Sequence, residues 1–492
     1  MYKIELTDRI RLILHLFFIT LVWYIFVLLK LEDQYMHLWD ESRYALNTFE
    51  FLKHNNPFLV TAYGEPDWWN TKPPMSQWLQ AISVKIFGYN EFGVRFPSAF
   101  FSLLTVYILI FNSKKIFSSY TIGLCAGILL FSIPEYNGYH ITRTADVDSI
   151  LIFFTTSYIF LIYYIIERKQ NSVWIFIALS LSIIGAFYTK SIAGFIPLAA
   201  CVIYILLFPK NYVIFKNPKV YIFGISTILI CLSYYFIRDF YDPGYIKKAI
   251  LSTEMSMYNK NNREGSDFWN SIFTFFDNKL YFYSYFLFLS PILFISKKTK
   301  QASVLLYTIG VGTLIVAIHA GSVVKKNWYD IPAIPIFMFG IAYIIYSSYK
   351  HLLSLTNTIK KTVLLILFSS GIIFSYSKAI NIIYQNRFDK KNYVSEYIHD
   401  ETSAFIKNKI EPRKDLHTVK FIPRPIPQLF YENVLFYSHS FQEQNRELTI
   451  ITLSNITEGD TLLMKKRHPE YEKISKGKEH IIDTKVFSLF IY

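Results

Sequence analysis

Charged residues are scarce in this chain. Asp, Glu, Lys and Arg make up 17% of its 492 residues, whereas a soluble protein of this length carries about 25%. Hydrophobic residues reach 52% instead, and they come in runs of about 15–22 residues, which is typical of segments that span a bilayer. The sequence therefore predicts a polytopic membrane protein rather than a soluble one.

Cysteines and paired histidines are also few. The three cysteines, Cys125, Cys201 and Cys231, fall inside apolar runs, where a thiol packs as a small hydrophobic group. Their spacing fits neither a disulfide framework nor a metal site. The 11 histidines are scattered without a His-x-x-His pair, so we expect no zinc site. No cofactor is expected either, and nothing in the spacing supports a divalent metal.

The net charge is +14, which raises the question of a nucleic-acid partner. Such a partner requires a basic face or a recognised nucleic-acid-binding fold, and the sequence has neither. The basic residues are instead spread through short loops between apolar runs. Membrane topology explains this pattern, and no nucleic acid is expected.

The apolar runs predict the membrane topology. The N-terminus has basic residues before its first apolar run but no small-residue cleavage site, which indicates an uncleaved first helix. Eleven spans are predicted, at about 10–30, 93–111, 120–134, 147–166, 173–188, 193–208, 220–237, 280–295, 302–320, 333–349 and 361–377. With the N-terminus inside, every second loop is cytoplasmic. Each of those loops is basic, as the positive-inside rule expects: Lys114 and Lys115; Arg168 and Lys169; Lys210, Lys216 and Lys219; Lys297, Lys298 and Lys300; Lys350, Lys360 and Lys361.

The outer side carries longer segments. The first outer loop, about 32–92, should hold an interfacial helix near 74–87, because a Pro-Pro start and an apolar surface with Trp78 lack spanning length. A second outer segment covers about 238–279. We predict a transmembrane domain at 1–379 and a small outer α/β domain at 380–492. That domain should contain a helix at 391–410 and strands at "TVKFIPR", "QLFYEN", "ELTIITLS" and "KVFSLFIY".

Ionisable residues collect beside the outer ends of the predicted spans. They are Asp40, Glu41 and Arg43; Lys72; Arg95; Arg143, Asp146 and Asp148; Lys190; and Lys325 and Lys326. Charge near the hydrocarbon boundary is costly and is usually paired or functional. Together, an acidic pair and several cations indicate a lipid-phosphate substrate: the cations would bind phosphate and a carboxylate would activate a hydroxyl, while apolar spans bind an isoprenoid tail.

Each of these signals has a structural alternative. Asp40 and Glu41 could be a solvated loop pair, and Lys72 could extend from a turn to the interface. Arg143 and Asp148 could form an ion pair at a helix start, where Asp148 also suits the helix dipole.

Five motifs in order resemble those of a known family. They are "DESRYAL", "NTKPPMSQWLQAISVKIFGYNEFGVRFPSAF", "RTADVDSILIFF", "YTKSIAGFIP" and "KKNWYDIPAIP", covering about residues 35–340. The set resembles bacterial GT-C membrane glycosyltransferases that use polyprenyl-phosphate sugars, the group of lipid A aminoarabinose transferases and protein O-mannosyltransferase relatives. The resemblance implies a GT-C fold of about 11–13 transmembrane helices in the bacterial inner (plasma) membrane, with the active site facing the periplasm.

The resemblance also implies an activity. The chain would be an inverting hexosyl- or pentosyltransferase that moves a sugar from undecaprenyl phosphate to a periplasmic acceptor such as lipid A, another glycan or protein. Lys72 would bind the carrier phosphate, Asp40 would be the base, and Glu41 or Asp148 would orient it or contact substrate. Supporting phosphate ligands would be Arg43, Arg95, Arg143, Lys190, Lys325 and Tyr329. A hydroxyl acceptor would need the base, whereas a phosphate acceptor would not.

Three positions depart from the family pattern. Ser191 replaces a glycine, Thr71 stands where some relatives have a Glu, and Met255 stands where some have a His. The sequence therefore supports neither a metal at that place nor aminoarabinose transfer in particular. The competing class is a transporter or flippase of lipid-linked sugars. Such a protein is expected to have internal repeats and discontinuous helices near mid-membrane, whereas this chain has no repeat and its charges cluster at one interface.

Overall fold

The structure is a computed structural model. It describes residues 2–54, 56–138, 140–248, 268–289, 299–322, 325–326, 328–388, 401–423 and 431–492. The predicted second outer segment lies mostly outside these ranges, as does the position of Met255.

Eight stretches of the described chain are long and apolar enough to cross a membrane. One of them, Val173–Leu207, contains two helices joined by a 3-10 turn at Ser191–Phe195. The long apolar helices are α1 (Tyr2–Trp23, continued by a π-helix at Tyr24–Leu28), α4 (Glu91–Phe117), α6 (Asp148–Ile166), α7 (Val173–Lys190), α8 (Ile196–Leu207), α9 (Pro218–Tyr241), α11 (Thr299–Ala320), α12 (Ile334–Leu353) and α13 (Thr358–Phe388), with the shorter α5 (Tyr120–Phe131). The polytopic prediction is confirmed. The predicted span at 280–295 is described only to residue 289, as a 3-10 helix at Tyr281–Leu289.

Small residues allow these helices to approach closely. A Cβ on Gly123 would lie 2.4 Å from the Cα of Ile110, so α4 and α5 touch backbone to backbone there. A Cβ on Gly194, within the 3-10 turn that breaks the long apolar stretch, would lie 2.6 Å from the backbone of Ala186 in the same way. Close contact through glycine is a common way for helices to pack in a bilayer. The break at Ser191–Phe195 is therefore a packed joint, and it fixes the position of Lys190 just before it.

The first outer loop contains two helices. Helix α2 (Asp40–His54) has Asp40 and Glu41 in its first turn and Lys53 in its last, a charge order that favours the helix dipole. Helix α3 (Met75–Phe87) follows Pro74 directly, so the predicted helix near 74–87 exists. Its orientation parallel to the membrane stays a prediction. A short hairpin of β1 (Thr61–Ala62) and β2 (Glu65–Pro66) lies between them.

The C-terminal region forms a five-stranded mixed sheet in the order β4-β3-β5-β7-β6. Its strands are β3 (Thr418–Ile422), β4 (Glu447–Ile450), β5 (Thr461–Lys465), β6 (Glu479–Asp483) and β7 (Phe487–Ile491). β3 is parallel to β4 and β5, whereas β7 is antiparallel to β5 and β6. The predicted strands at "TVKFIPR", "ELTIITLS" and "KVFSLFIY" contain β3, β4 and β7, while β5 and β6 were not predicted.

Helices accompany this sheet. The predicted helix at 391–410 is described only from residue 401, as α14 (Glu401–Phe405) and a π-helix at Ile406–Ile410. The predicted strand "QLFYEN" is wrong where it is described, because Glu432 begins helix α15 (Glu432–Gln442), and its first residues lie outside the described ranges. The other short helices are α10 (Phe268–Thr274), the π-helix Phe275–Lys279, the 3-10 helices Pro209–Lys216, Ile331–Ala333 and Leu453–Asn455, and α16 (Tyr471–Ser475).

The C-terminal sheet and the first outer loop share one apolar core. Met36, Ala45 and Tyr89 from the loop lie in a single cluster with Phe436 and Phe441 from α15. Because each fully buried apolar side chain contributes about 1.5–3 kcal/mol, this shared core holds the sheet firmly on the loop that carries the acidic pair.

Candidate active site

Two loops that are predicted to lie on the outer side bring two carboxylates and a histidine together. Asp40 begins α2, while His140 and Asp146 lie in the loop between α5 and α6. His140 Nδ1 is 3.1 Å from Asp146 Oδ1 and 3.8 Å from Asp40 Oδ2, so one ring nitrogen faces both acids. The imidazole stacks on Trp328, with ring centroids 3.9 Å apart. Asp146 is buried, whereas the side chain of Asp40 keeps 26% of its surface exposed. Asp40 is therefore the member of this group that solvent or a substrate can reach.

Charge and burial set the protonation of these three groups. Burial raises the pKa of Asp40 above its ordinary value, and the neighbouring Asp146 raises it further. Burial alone would lower the pKa of His140, but Asp146 and Asp40 together raise it. Burial opposes ionisation of Asp146, yet contact with His140 holds the pKa of Asp146 below its usual value. The favoured state is an ionised Asp146 beside a protonated His140, with Asp40 poised to exchange a proton nearer to neutral pH than an ordinary Asp.

The backbone has positive φ angles at or beside several charged residues of this region. Trp39, just before Asp40, has φ of 75°, His140 has 71°, and Ser191, just after Lys190, has 52°. Non-glycine residues rarely adopt positive φ, and such strain costs about 1–3 kcal/mol per residue, often at functional sites. Two of these residues are next to Asp40 and Lys190 and the third is His140 itself, so the backbone strain coincides with the charged groups.

Lys190 and Asp148 form a buried ion pair beside this group. Lys190 ends α7 and its Nζ lies 2.5 Å from Oδ1 of Asp148, the first residue of α6. The ammonium also lies 4.8 Å from the centroid of the Tyr329 ring. Lys190 contributes to the field at Asp40 as well. Three predicted site residues from separate outer segments thus meet here.

Lys72 lies against two aromatic rings. Its Nζ is 5.4 Å from the ring centroid of Tyr44 and 5.5 Å from that of Trp69. The positive charge of Lys72 is close enough to Asp40 to favour its ionised form. Because Trp69 is partly exposed, this cation lies beside an accessible aromatic surface.

Glu41 and Arg95 are arranged differently from Asp40 and Lys72. Arg95 binds Glu41 through Nε at 2.7 Å and Nη2 at 3.0 Å, and both side chains are fully buried. Its remaining N–H groups donate to the carbonyls of Leu31, Gln34 and Tyr35. All five donors of this guanidinium are used. Glu41 also accepts from the backbone N–H groups of His37 and Ala145. The pair ties α2, α4 and the His140 loop into one unit.

Two further arginines also bind protein groups. Arg143 donates to the carbonyls of Val27, Leu29 and Lys30, where the first membrane helix ends. It therefore completes a helix C-terminus, and the alternative in which it pairs with Asp148 is wrong, since Asp148 pairs with Lys190.

Arg43 bonds to acids on both sides of its guanidinium. It binds Asp67 through two nitrogens at 2.8 and 2.9 Å and Glu432 of α15 through a third at 2.9 Å. Burial opposes ionisation of Asp67, but the contact with Arg43 holds the pKa of Asp67 below its usual value.

A second polar group lies near Tyr329. Lys279 and Asp330 form a buried pair at 2.5 Å, and Tyr281 donates to Glu135 at 2.7 Å. Burial raises the pKa of Glu135 to about 7. The predicted residue Lys325 lies on this side, with Nζ 3.1 Å from Ser271 Oγ.

Sequence reasoning missed several of these residues, namely His140, Asp67, Lys279, Asp330, Glu135 and Glu432. His140 stands three residues before Arg143, in the loop of a quoted motif. That position was its only sequence signal.

One group in the described part of the chain could hold a metal ion. Asp40, His140 and Asp146 each offer one ligand atom, and these atoms lie within 4.8 Å of one another. Oδ2 of Asp146 is buried without a hydrogen-bond partner among the described residues. One imidazole nitrogen and carboxylate oxygens suit zinc or manganese. The expectation of no metal rested on histidine spacing within the sequence, and these ligands come from two separate loops, so the expectation stays a prediction.

The fold can be compared with that of solved membrane proteins. The structure superposes on the crystal structure of ArnT from Cupriavidus metallidurans bound to undecaprenyl phosphate with a TM-score of 0.66, covering 97% of both chains at 12% identity. Its apo form gives 0.67 over 98% of both chains at 13% identity. At these identities the likeness concerns the fold. The predicted GT-C architecture is confirmed.

Sequence comparisons then identify particular relatives. Residues 71–236 match the family model described as dolichyl-phosphate-mannose-protein mannosyltransferase. The chain is 31% identical over 204 residues to an undecaprenyl phosphate-alpha-4-amino-4-deoxy-L-arabinose arabinosyl transferase of Wigglesworthia glossinidia brevipalpis, covering 40% of this chain and 35% of that protein. It is 31% identical over 128 residues to a polyprenol-phosphate-mannose–protein mannosyltransferase of Mycobacterium tuberculosis, covering 26% and 23%. The matches thus span about a third of these relatives or less. The resemblance to GT-C membrane glycosyltransferases is confirmed.

Proposed function

We propose that the chain is an inverting glycosyltransferase that moves a sugar from a polyprenyl phosphate, such as undecaprenyl phosphate, to an acceptor. The observation that carries the proposal is the partly exposed Asp40, which lies beside the buried pair of His140 and Asp146 and within the field of Lys72 and Lys190. A base and two cations converge there at one end of the bundle. The relatives named above, which use lipid-phosphate sugars, support this reading.

The transfer uses Asp40 as the base. An acceptor hydroxyl attacks the anomeric carbon, and its proton passes to Asp40 as the new carbon–oxygen bond forms. The bond from that carbon to the phosphate oxygen breaks, and the carrier phosphate leaves with the electron pair. Attack opposite to the leaving group inverts the anomeric centre. The raised pKa of Asp40 suits this role, because a base is most effective when its pKa lies near the working pH.

Lys72 stabilises the leaving phosphate. Negative charge grows on the bridging oxygen as the bond breaks, so a cation aimed at that oxygen stabilises the transition state more than the ground state. Lys190, oriented by Asp148 at 2.5 Å, and the Tyr329 ring beneath it would complete the phosphate pocket. Lys325, beside Ser271, would be a supporting ligand of the phosphate rather than a main one.

Several predicted site residues bind only other protein groups in the described chain, and their role is to hold the site together. Arg95 and Glu41 form hydrogen bonds with each other and with backbone groups. Arg143 binds the end of the first helix, and Arg43 binds Asp67 and Glu432. We therefore assign Glu41, Arg43, Arg95 and Arg143 positioning roles in place of the direct substrate contacts inferred from sequence.

Assay of the purified protein tests this function. A radiolabelled polyprenyl-phosphate sugar in detergent should lose its sugar in the presence of protein and an acceptor extract. The same preparation in vesicles should not move intact donor between leaflets. Donor movement without sugar release would support a transporter of lipid-linked sugars instead.

The acceptor class follows from the location of the site. We propose that the chain lies in the bacterial inner membrane with the site facing the periplasm, so that lipid A, another glycan or protein would be within reach. Mass spectrometry of envelope glycolipids and glycoproteins from a deletion strain and its parent would identify the product, since one glycosylated class should disappear.

The orientation can be tested directly by cysteine labelling. In a variant without native cysteines, Tyr63→Cys in the first outer loop and Lys473→Cys in the C-terminal domain replace exposed residues. Both should react with an impermeant thiol reagent in intact spheroplasts. Thr356→Cys, in the exposed loop between α12 and α13, should react only after lysis. The reverse pattern would move the site to the cytoplasm.

A further inference from the structure

A hydrogen-bond network runs from the C-terminal domain into the first outer loop. It begins at Glu432, the first residue of α15, whose Oε1 accepts from Arg43 Nη1 at 2.9 Å. Arg43 then binds both oxygens of Asp67, through Nε at 2.8 Å and Nη2 at 2.9 Å. All three side chains are buried. A guanidinium group bound by carboxylates on two sides has little freedom to rotate. Glu432 therefore fixes the plane of the Arg43 guanidinium, and with it the geometry in which Arg43 binds Asp67.

Asp67 in turn shapes the segment that leads to Lys72. Its Oδ1 accepts from the backbone N–H groups of Trp69 and Asn70 at 2.9 and 3.1 Å. Its Oδ2 accepts from Asn47 Nδ2 at 2.8 Å. Asn70 donates to Asn47 at 2.8 Å, and the Oδ1 of Asn70 accepts from the backbone N–H of Lys72 at 3.3 Å. The acid, two amides and three backbone groups thus fix the turn immediately before the proposed phosphate-binding lysine.

Trp69 gives a second connection between the two ends of this network. Its ring faces both the Arg43 guanidinium, at 5.9 Å, and the Lys72 ammonium, at 5.5 Å. A rotation of Arg43 would therefore disturb the surface against which Lys72 lies. The carbonyl of Thr71 is held as well, by the hydroxyl of Tyr245 at 2.6 Å.

We propose that the C-terminal domain contributes Glu432 as a positioning residue for donor binding: Glu432 sets Arg43, Arg43 sets Asp67, and Asp67 sets the turn that presents Lys72 to the carrier phosphate. The proposal rests on the proposed function, in which Lys72 binds that phosphate. It gives the C-terminal domain, through helix α15, a part in recognition of the donor.

The test measures binding of undecaprenyl phosphate alone to the purified full chain, together with turnover and thermal stability. Glu432→Gln keeps the shape of the side chain and removes its charge. We expect it to weaken binding about three- to tenfold and to raise the donor KM by the same factor. We also expect kcat to fall, because a displaced Lys72 would stabilise the leaving phosphate less. Arg43→Lys keeps the charge but loses the fork, so it should weaken binding at least as much.

The matched control is Glu443→Gln. Glu443 belongs to the same domain interface, where its carboxylate accepts from the backbone N–H of Tyr89 at 2.9 Å, but it makes no contact with Asp67 or Arg43 in the described chain. It should leave donor binding unchanged. Equal losses of donor affinity in Glu432→Gln and Glu443→Gln would show that the interface matters only for stability, and would overturn the proposal.

A double-mutant cycle separates positioning from general weakening. Asp67→Asn interrupts the network downstream, so adding Glu432→Gln to it should change donor affinity by less than twofold, because residues that act through one another are not additive. Full additivity would overturn the proposal. Failure of the parent protein to bind undecaprenyl phosphate would instead overturn the proposed function. Binding by the parent with no loss in Glu432→Gln would leave the function standing and remove only this inference.

Discussion

Asp40 and Glu41 are neighbours in sequence, but their surroundings differ. Glu41 is fully buried and bound to Arg95 and to two backbone N–H groups. Asp40 is partly exposed and faces His140 at 3.8 Å. Successive residues of a helix point about 100° apart, so the first turn of α2 directs one acid into the core and leaves the other partly exposed beside His140. A fully bonded charge holds the structure together, whereas an accessible charge with a raised pKa is available for chemistry.

The largest expected effect is the loss of turnover when Asp40, the accessible acid, is replaced. Asp40→Asn keeps the size of the side chain but cannot accept a proton, so turnover should fall by about 10²–10⁴, the usual share of a general base. Undecaprenyl phosphate binding should stay near the parental value. The control is Asp33→Asn, a more exposed acid just before the same helix, which should keep parental turnover. Near-parental single-turnover rates in Asp40→Asn would remove the base from the proposal.

Breaking the ion pair of Arg95 and Glu41 should lower the stability of the protein. Arg95→Leu leaves Glu41 charged and buried without its partner, and breaking such a pair typically costs about 3–5 kcal/mol. The thermal midpoint of the detergent-solubilised protein should drop sharply or the protein should not accumulate. Arg413→Leu removes an exposed arginine paired with Asp415 and should leave the midpoint unchanged. A stable Arg95→Leu protein with a selective loss of donor binding would restore Arg95 as a phosphate ligand.

Lys72 should show an effect on both binding and rate. Lys72→Ala removes a preorganised cation from the leaving phosphate, and loss of one such contact typically lowers turnover by about 10²–10³. Donor binding should weaken as well, because the phosphate is already anionic before reaction. Lys85→Ala, on the exposed face of α3, is the control. A larger loss for Lys72→Ala than for Asp40→Asn would indicate an acceptor that is itself anionic, such as a phosphate.

The pH dependence of turnover tests the contact between His140 and Asp40. Asp40 must be ionised to act as base, so activity should fall about tenfold per pH unit below its pKa, and that pKa is raised by burial and by Asp146. Protonated His140 favours the ionised form of Asp40. His140→Gln should therefore move the acid limb of the profile to higher pH. His417→Gln, at an exposed position, should leave the limb in place, and an unmoved limb in His140→Gln would contradict the assignment.

Chelation should have the smallest effect. A protonated His140, with Lys72 and Lys190 nearby, already supplies positive charge to Asp40 and Asp146. We expect EDTA to change turnover by less than about twofold, because these carboxylates need no dication for charge balance. A loss of activity that zinc or manganese restores would show that Asp40, His140 and Asp146 bind metal.

The sequence predicted the membrane architecture better than the connections within the site. Runs of apolar residues and basic loops depend on local composition, so the membrane helices and α3 could be predicted, whereas helix α2, which begins at the acidic pair, was not. The partners of the charges could not. Arg95 meets Glu41 across 54 positions and Arg43 meets Glu432 across 389, and no spacing rule reaches that far. His140 had no periodicity to mark it, and the arginines resemble phosphate ligands until their donors are counted.

The union of the first loop with the C-terminal sheet also has a consequence for biosynthesis. The backbone N–H of Met36 bonds the hydroxyl of Tyr437, 401 positions later, and Glu91 bonds both Tyr437 and Lys407. At ~5–20 residues per second on the ribosome, about 20–80 s separate the two partners. During that interval α2 and the turn before Lys72 lack the C-terminal residues that pack on the first loop. The nascent chain is therefore expected to lack this shared core, and to stay exposed to proteases and chaperones, until its C-terminal region is made.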